Sequence, residues 1–295
     1  MLDKWYLTSY NGSNPLERMF MLPEDNDILT LEEASELFKV STKTFLKMLR
    51  EEDLPARKIG REWRFSRQAL LEWMAGGHSQ HYTQAENEVK DYFNRVAPQY
   101  NEQRSKCYGN AMREIIFNHA KIEPNDVVAD IGAGTGDLAL ELAKRAKHVT
   151  AVDNSPQMLS VAKEQAAKEG LTNIEFLEGE AAALPLTAKS VDKVFANMLL
   201  HHVDDPLQVL QEMYRILKPG GQVVITDVEE HQHTWLRQEK SDLWLGFNRE
   251  ELAGWLKEAG FKDVEVKDAG CDCCTGTGDG SKTVKIKSLL ARGRK

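Results

Sequence analysis

Cysteine is scarce in this chain, and what there is stands almost in one place. Of four cysteines, Cys271, Cys273 and Cys274 fall within four residues and only Cys107 lies elsewhere. That spacing excludes a disulfide framework, which spreads its cysteines along the chain, and in a reducing compartment all four would be thiols. Long apolar runs are also missing: none approaches the ~18 residues needed to cross a bilayer. The first residues, Met-Leu-Asp-Lys-Trp-Tyr, lack the basic start and apolar core of a secretion signal, so the expectation is a cytoplasmic protein with no membrane partner. Basic charge is not in excess. The formal net charge of −8 excludes a chain that coats nucleic acid with its whole surface, but leaves room for a local basic patch. Repeats and low-complexity tracts are absent. What remains is an ordinary globular composition, 41% hydrophobic and 28% charged over 295 residues, enough for about two domains.

The strongest local signal is the run 127–137, Val-Val-Ala-Asp-Ile-Gly-Ala-Gly-Thr-Gly-Asp. An apolar stretch ending at Ile131 reads as a buried parallel strand. Gly132, Gly134 and Gly136 then make a turn in which no Cβ keeps a ligand from the backbone. Leu138, Ala139 and Leu142 open a helix. A second strand from His148 ends in Asp153, placed to accept from a ribose hydroxyl pair. This is half of a nucleoside-binding α/β sheet. A dinucleotide site keeps a helix N-terminus free for pyrophosphate. Here an acidic residue, Asp130, precedes the first glycine; it would repel phosphate and suit a cationic ligand.

The string closely resembles motif I of the class I S-adenosylmethionine-dependent methyltransferases, whose cofactor carries an ammonium and a sulfonium and no phosphate. The segment Tyr92-Phe-Asn-Arg-Val-Ala-Pro-Gln-Tyr-Asn resembles the entry segment of ubiquinone- and menaquinone-type C-methyltransferases and their small-molecule relatives. By that resemblance Tyr100 lies over the cofactor; the alternative is a core aromatic. The resemblance implies a Rossmann-like α/β fold with a seven-stranded sheet in the order 3-2-1-4-5-7-6. Strands are expected at 127–131, 148–152, 174–178, 191–196, 222–227, 264–267 and 283–291, the last antiparallel. Helices are expected at 137–146, 156–169 and 205–217. It also implies that Asn154 and Met158 follow Asp153 into the cofactor site, that Glu180 and Ala181 read the adenine edge, and that Asn197 meets the methionine part.

Residues 28–75 read as a separate unit. Thr30 and Glu33 form a capping box; Leu31, Ala34, Leu37 and Phe38 make a helical stripe; Ser41 caps a second helix; Lys58 to Phe65 alternates about Gly60-Arg61 like a hairpin. Two short helices followed by a β wing is a DNA-reading layout. The stretch closely resembles the excisionase-type, MerR-related winged helix-turn-helix family. That resemblance places Thr42, Lys43 and Thr44 at the start of a recognition helix, and Lys58, Arg61 and Arg64 on phosphates from the wing. The unit is nearly neutral, with nine basic against eight acidic residues, below what a strong stand-alone DNA binder carries. A protein-interaction or dimerisation module is the alternative, and a homodimer would supply a second half-site. The remaining divisions are an arm at 1–27, a polar linker at 76–86 and the methyltransferase domain at 87–295.

Methyl transfer from a sulfonium is an in-line displacement that asks mainly for proximity and orientation, with a base if the acceptor carries a proton. The candidates are His201 and His202 after the fourth strand, and Asp227, Glu230, His231 and His233 after the fifth. Asn197-Met-Leu-Leu is not the signature of DNA amino-methylating enzymes, so a small molecule is the expected acceptor. The loop 269–280, with Cys271, Cys273 and Cys274, is expected to hang near the substrate side. Soft thiolates suit a metalloid such as arsenite, zinc is a rival, and incidental thiols are the third possibility. Two function classes stay open at this point: a small-molecule methyltransferase with a fused DNA-binding domain, and a DNA-binding regulator that uses the methyltransferase fold to sense S-adenosylmethionine or a metal.

Overall fold

A computed structural model describes residues 28–51, 54–60, 62–76, 79–102, 110–277 and 282–295. The chain divides into two compact units, residues 1–79 and 80–295. The arm at 1–27, Arg61 and Cys107 lie outside the described residues.

The small unit runs β1 (Ile28–Leu29), α1 (Leu31–Leu37), α2 (Thr42–Glu51), β2 (Ala56–Ile59), β3 (Glu62–Ser66) and α3 (Arg67–Gly76). The capping box forms: the Thr30 amide donates to Glu33 Oε2 at 2.8 Å and the Glu33 amide to Thr30 Oγ1 at 3.3 Å. Ser41 caps α2 through the Thr44 amide at 3.0 Å, and Ser66 caps α3 through the Ala69 amide at 3.3 Å. β2 and β3 pair antiparallel from Ala56↔Phe65 to Ile59↔Glu62, with Gly60 at φ +66 in the turn. This is the expected wing. Its core is aromatic: Phe45 meets Phe38 and Phe65 edge-on at 5.3 and 5.2 Å.

The large unit begins with α4 (Ser79–Val96). The expected linker at 76–86 is therefore helical from Ser79 onward. Its polar composition reads as a linker, but after Gly77 no glycine or proline interrupts the chain until Pro98, and nothing else stops a helix there. A 3₁₀ turn (Ala97–Gln99) and α5 (Ala111–His119) follow. The alternating core is then β4 (Val127–Ile131), α6 (Asp137–Ala143), β5 (His148–Asp153), α7 (Pro156–Lys168), β6 (Ile174–Glu178), β7 (Val191–Asn197), α8 (Pro206–Ile216) and β8 (Leu217–Val228). The short α9 (Leu236–Lys240), α10 (Arg249–Glu258), β9 (Lys262–Gly276) and β10 (Thr283–Arg294) complete it. The sheet order is β6-β5-β4-β7-β8-β10-β9, the expected 3-2-1-4-5-7-6. β10 is antiparallel to both neighbours. β4 and β7 are buried on both faces and carry apolar runs, as central parallel strands require.

One element departs from expectation. Residues 269–276 are not a loop: β9 continues through them and pairs with β10 as far as Gly276↔Thr283. The register shifts between Lys287↔Asp272 and Leu289↔Asp268, so Ala269, Gly270 and Cys271 bulge out opposite Ser288, with Gly270 at φ +81.

Candidate functional site

The carboxyl ends of β4, β5 and β7 open on a cleft lined from the segment ahead of the sheet as well as from the strand ends, the place where an open α/β sheet binds its ligand. The glycine turn forms its floor. Gly132 and Gly134 have φ +70 and +54. A Cβ on Gly132 would strike Leu199 Cδ1 at 2.6 Å, whereas one on Gly134 would meet nothing within 4 Å. The space over Gly134 is the close approach a ligand needs. Asp153 ends β5 and accepts from the Gly134 amide at 2.7 Å and the Ser155 amide at 2.9 Å. Burial pushes its carboxyl up, against the downward pull of those two amides. The Asn154 amide group donates to Glu180 Oε2 at 3.2 Å, and Ser155 caps α7 through the Met158 amide at 3.1 Å.

The segment ahead of the sheet straps this floor. Lys90 pairs with Glu178 at 3.1 Å, Ser155 Oγ donates to Asn94 Oδ1 at 2.7 Å, and Thr135 Oγ1 donates to Asn101 Oδ1. Between these ties Phe93 and Tyr100 reach the cleft, edge-on to one another at 6.0 Å.

Of the expected cofactor residues, Tyr100, Gly132, Gly134, Asp153, Asn154, Met158, Glu180, Ala181 and Asn197 all line the cleft. Asp130 and Gly136 do not. Asp130 is 1% exposed and its Oδ2 has no partner among the described residues. Burial, then the charges of Asp137 and Asp153, hold its carboxyl well above the usual range. It lies behind the wall as a buried acid, not on it as an exposed carboxylate. Gly136 is the N-cap of α6 at φ +86, where a Cβ would come within 3.0 Å of Ala162; it serves helix packing.

The histidines separate. His202 is part of the cleft wall, with Phe93 edge-on at 4.9 Å. His201 sits behind it, 6% exposed, the two rings 3.9 Å apart. His201 Nδ1 lies 2.6 Å from Asp227 Oδ1. Asp227 is itself fixed by the Leu200 amide on Oδ2 and its neighbour Val228's amide on Oδ1, both at 2.8 Å. Burial pulls the His201 imidazolium down, but the charge and hydrogen bond of Asp227, with Asp242 beyond, carry it up to about 9. His202 is held well below its usual value by burial and by His201. His231 is on the segment after β8 and is not part of the cleft lining, and burial with the charges of His233 and His201 takes it down to about 4. Only His202 among the three expected catalytic histidines therefore faces the cleft.

Sequence reading missed Asp242. It is 7% exposed and pushed up to about 6 by burial. It reaches the histidines because the Leu243 and Trp244 amides both donate to the His201 carbonyl, at 2.9 and 3.0 Å. No local pattern in Lys-Ser-Asp-Leu-Trp signals that tie.

The thiols do not converge. Cys273 is buried in a small cluster with Val228, Leu236 and Ile286. Cys271, in the bulge, points to Met112 Sδ at 3.6 Å. None of Cys271, Cys273 and Cys274 lines the cleft. Among the described residues the one group with metal-ligating geometry is His201, His202 and Asp242, so the expected three-thiol site is not formed. Cys273 and Cys274 are successive residues of an extended strand and point to opposite faces, while Cys271 is set off by the bulge.

In the small unit, Thr42 and Lys43 are exposed on the first turn of α2. Thr44 Oγ1 is engaged by Ser41 Oγ at 2.7 Å. Lys58 is exposed on β2, its Nζ 5.7 Å from the Trp63 ring. Arg64 pairs with Glu62 and donates to the Trp63 carbonyl at 2.9 Å.

Comparison with known proteins agrees with this geometry. Residues 129–225 match the methyltransferase domain family and residues 28–78 the helix-turn-helix domain family. The chain is 36% identical over 163 residues to 2-methyl-6-phytyl-1,4-hydroquinone methyltransferase of Arabidopsis thaliana, covering 54% of this chain and 47% of that one. It is 36% identical over 152 residues to demethylmenaquinone methyltransferase of Lactobacillus johnsonii, covering 49% of this chain and 62% of that one. The aligned stretch thus spans less than two thirds of either relative. Among solved structures, a SAM-dependent methyltransferase from Aquifex aeolicus superposes with a TM-score of 0.51 at 20% identity, over 68% of this chain and 97% of that one; the likeness there is one of fold. No described helix is long and apolar enough to cross a membrane. The chain thus carries, in order, a match to a helix-turn-helix domain at 28–78 and a match to a methyltransferase domain at 129–225, the latter on the fold seen in the solved SAM-dependent methyltransferase.

Proposed function

We propose that the large unit transfers the methyl group of S-adenosylmethionine to a small aromatic acceptor of the hydroquinol type, and that the small unit binds DNA. The observation that carries the first part is the composition of the cleft beyond the cofactor floor. Phe93, Leu199, Val203 and His202 stand there, and no thiol among the described residues does. A largely apolar, partly aromatic wall with one neutral imidazole suits a planar ring with a hydroxyl, and among the described residues it offers a trivalent metalloid no thiolate, only the thioethers of Met158 and Met198. The hydroquinone and the demethylmenaquinone in the relatives' names support the same class.

The chemistry asks little more of the protein. The Gly132–Gly136 turn and Asp153 would hold the nucleoside, Asn197 and Tyr100 the sulfonium end. Phe93 and Leu199 would press the acceptor into line with the methyl group. DNA binding is supported by the wing, by the helix-turn-helix match and by the exposed Thr42 and Lys43. Arg64 is spent on Glu62 and would have to leave it to reach a phosphate.

The test is release of S-adenosylhomocysteine by the reduced full-length protein, with a short-chain hydroquinol and with arsenite as separate acceptors. Turnover with the hydroquinol and none with arsenite is expected. Arsenite-dependent turnover would overturn the acceptor class. Tight cofactor binding with no turnover on any acceptor would favour the sensor.

A further inference from the structure

Behind the cleft wall, two imidazoles approach one buried carboxylate without bonding to it. His201 Nε2 is 3.9 Å and His202 Nδ1 3.8 Å from Asp242 Oδ1, both beyond hydrogen-bond reach. One ligating atom from each of the three residues lies within 4.8 Å of the others. Tetrahedral ligands at about 2.0–2.1 Å from zinc stand about 3.3 Å apart, so an inward shift of a few tenths of an ångström per atom closes the set on an ion.

The surroundings are those of a metal ligand set. A ligating histidine donates its other ring N–H to a carboxylate or carbonyl, which fixes the tautomer and the ring. His201 does this with Asp227, whose two oxygens are pinned by the Leu200 and Val228 amides; its Nε2 is the atom left to ligate, its proton passing to solvent as the ion binds. His202 Nδ1 now meets the Ser241 carbonyl at 3.1 Å, and a small turn of the ring trades that contact for the ion. Ser241 is itself in the left-handed region at φ +57, a strained turn that presents Asp242 to the histidines.

We propose that His201, His202 and Asp242 form a binding site for a divalent transition metal ion of the zinc type, with Asp227 orienting His201. Three protein ligands leave a fourth position open. Because His202 also belongs to the cleft wall, the site adjoins the place given above to the acceptor. In that respect it deepens the proposed methyl transfer, with a hydroxyl oxygen as the natural fourth ligand.

Cobalt(II) titration of the full-length, reduced, chelator-washed protein tests this without acceptor or turnover. The expected result is saturable binding of one ion per chain, with visible d–d bands and no thiolate charge-transfer band. Zinc should displace the cobalt. His202→Ala and Asp242→Asn should each weaken binding by at least about tenfold, while a variant with Cys271→Ser, Cys273→Ala and Cys274→Ser retains it. Absence of saturable binding by the folded wild type overturns the site, as does a thiolate band or undiminished affinity in folded His202→Ala and Asp242→Asn. The cobalt spectrum of the unaltered chain decides the matter even if a variant does not fold. S-adenosylmethionine affinity, measured calorimetrically in parallel, reports separately on the methyltransferase reading.

Discussion

Asp153 and Gly134 are joined by a 2.7 Å hydrogen bond from the glycine amide to the carboxylate, so the end of β5 and the turn after β4 are set as one piece. Asp153→Ala removes both the proposed ribose acceptor and the partner of that amide. Losing hydrogen bonds to a charged group costs about 1.5–3 kcal/mol, which is tenfold or more in affinity. Calorimetric titration with S-adenosylmethionine reads this directly, and an unchanged Kd would take Asp153 out of the ribose contact.

Gly134→Ala separates backbone strain from ligand exclusion. A left-handed alanine costs roughly 1–2 kcal/mol, and the apo protein has room for the methyl group. A modest fall in Tm is expected, together with a much larger loss of cofactor affinity, because the added Cβ stands where the ligand approaches. A variant with equal losses in both would show that the space above Gly134 is not the ligand's.

Asp130 makes stability depend on pH. Its folded-state pKa is raised above the ordinary 3.8, first by burial and then by Asp137 and Asp153. The folded chain therefore holds this proton longer than the unfolded chain. Stability falls as pH rises from about 3.8 through the folded-state value, and the penalty is complete above it. Asp130→Asn should stabilise the apo protein at neutral pH, by about 1–3 kcal/mol if the cost is that of one unsatisfied buried group, and change little near pH 3. Urea midpoints across that range check it; a variant no more stable at pH 7 than the parent would refute the burial cost.

Cys273 belongs to a core and not to a ligand set. Cys273→Ser places a hydroxyl among Val228, Leu236 and Ile286 and should cost about 1–3 kcal/mol, with cofactor affinity unchanged. Equilibrium unfolding and calorimetry on the same sample distinguish this from a functional thiol, whose loss would leave stability alone.

Lys43 tests the small unit. It is exposed on the first turn of α2, and if it meets a phosphate, Lys43→Ala should lower the slope of log K against log salt by about 1. Binding to a mixed-sequence duplex at several salt concentrations gives that slope. The same slope in parent and variant would remove α2 from the DNA interface.

Much of this was legible because it is local. The glycine turn, the caps at Thr30 and Ser41, and the β/α alternation are each settled by a few adjacent residues. Asp130 was misplaced for a physical reason: β4 is buried on both faces, so its sequence has no alternation to say which side a residue takes. The cysteine stretch reads as a loop by itself, and only the distant β10 supplies its pairing partners, Lys285 to Lys287. Asp242 was invisible because two amides far along the chain from His201 put it there.

The bulge at Ala269–Cys271 has one more effect. β9 is the outermost strand of its sheet, and a free edge of fifteen residues is a template on which another chain can add. Here the edge is broken where Ser288 faces three residues instead of one, and Lys262, Asp263, Asp268 and Asp272 stand exposed along it. An incoming strand would find two short ladders out of step with each other, fringed with charge. The irregularity that lifts Cys271 out of register therefore also protects the sheet against edge-to-edge aggregation.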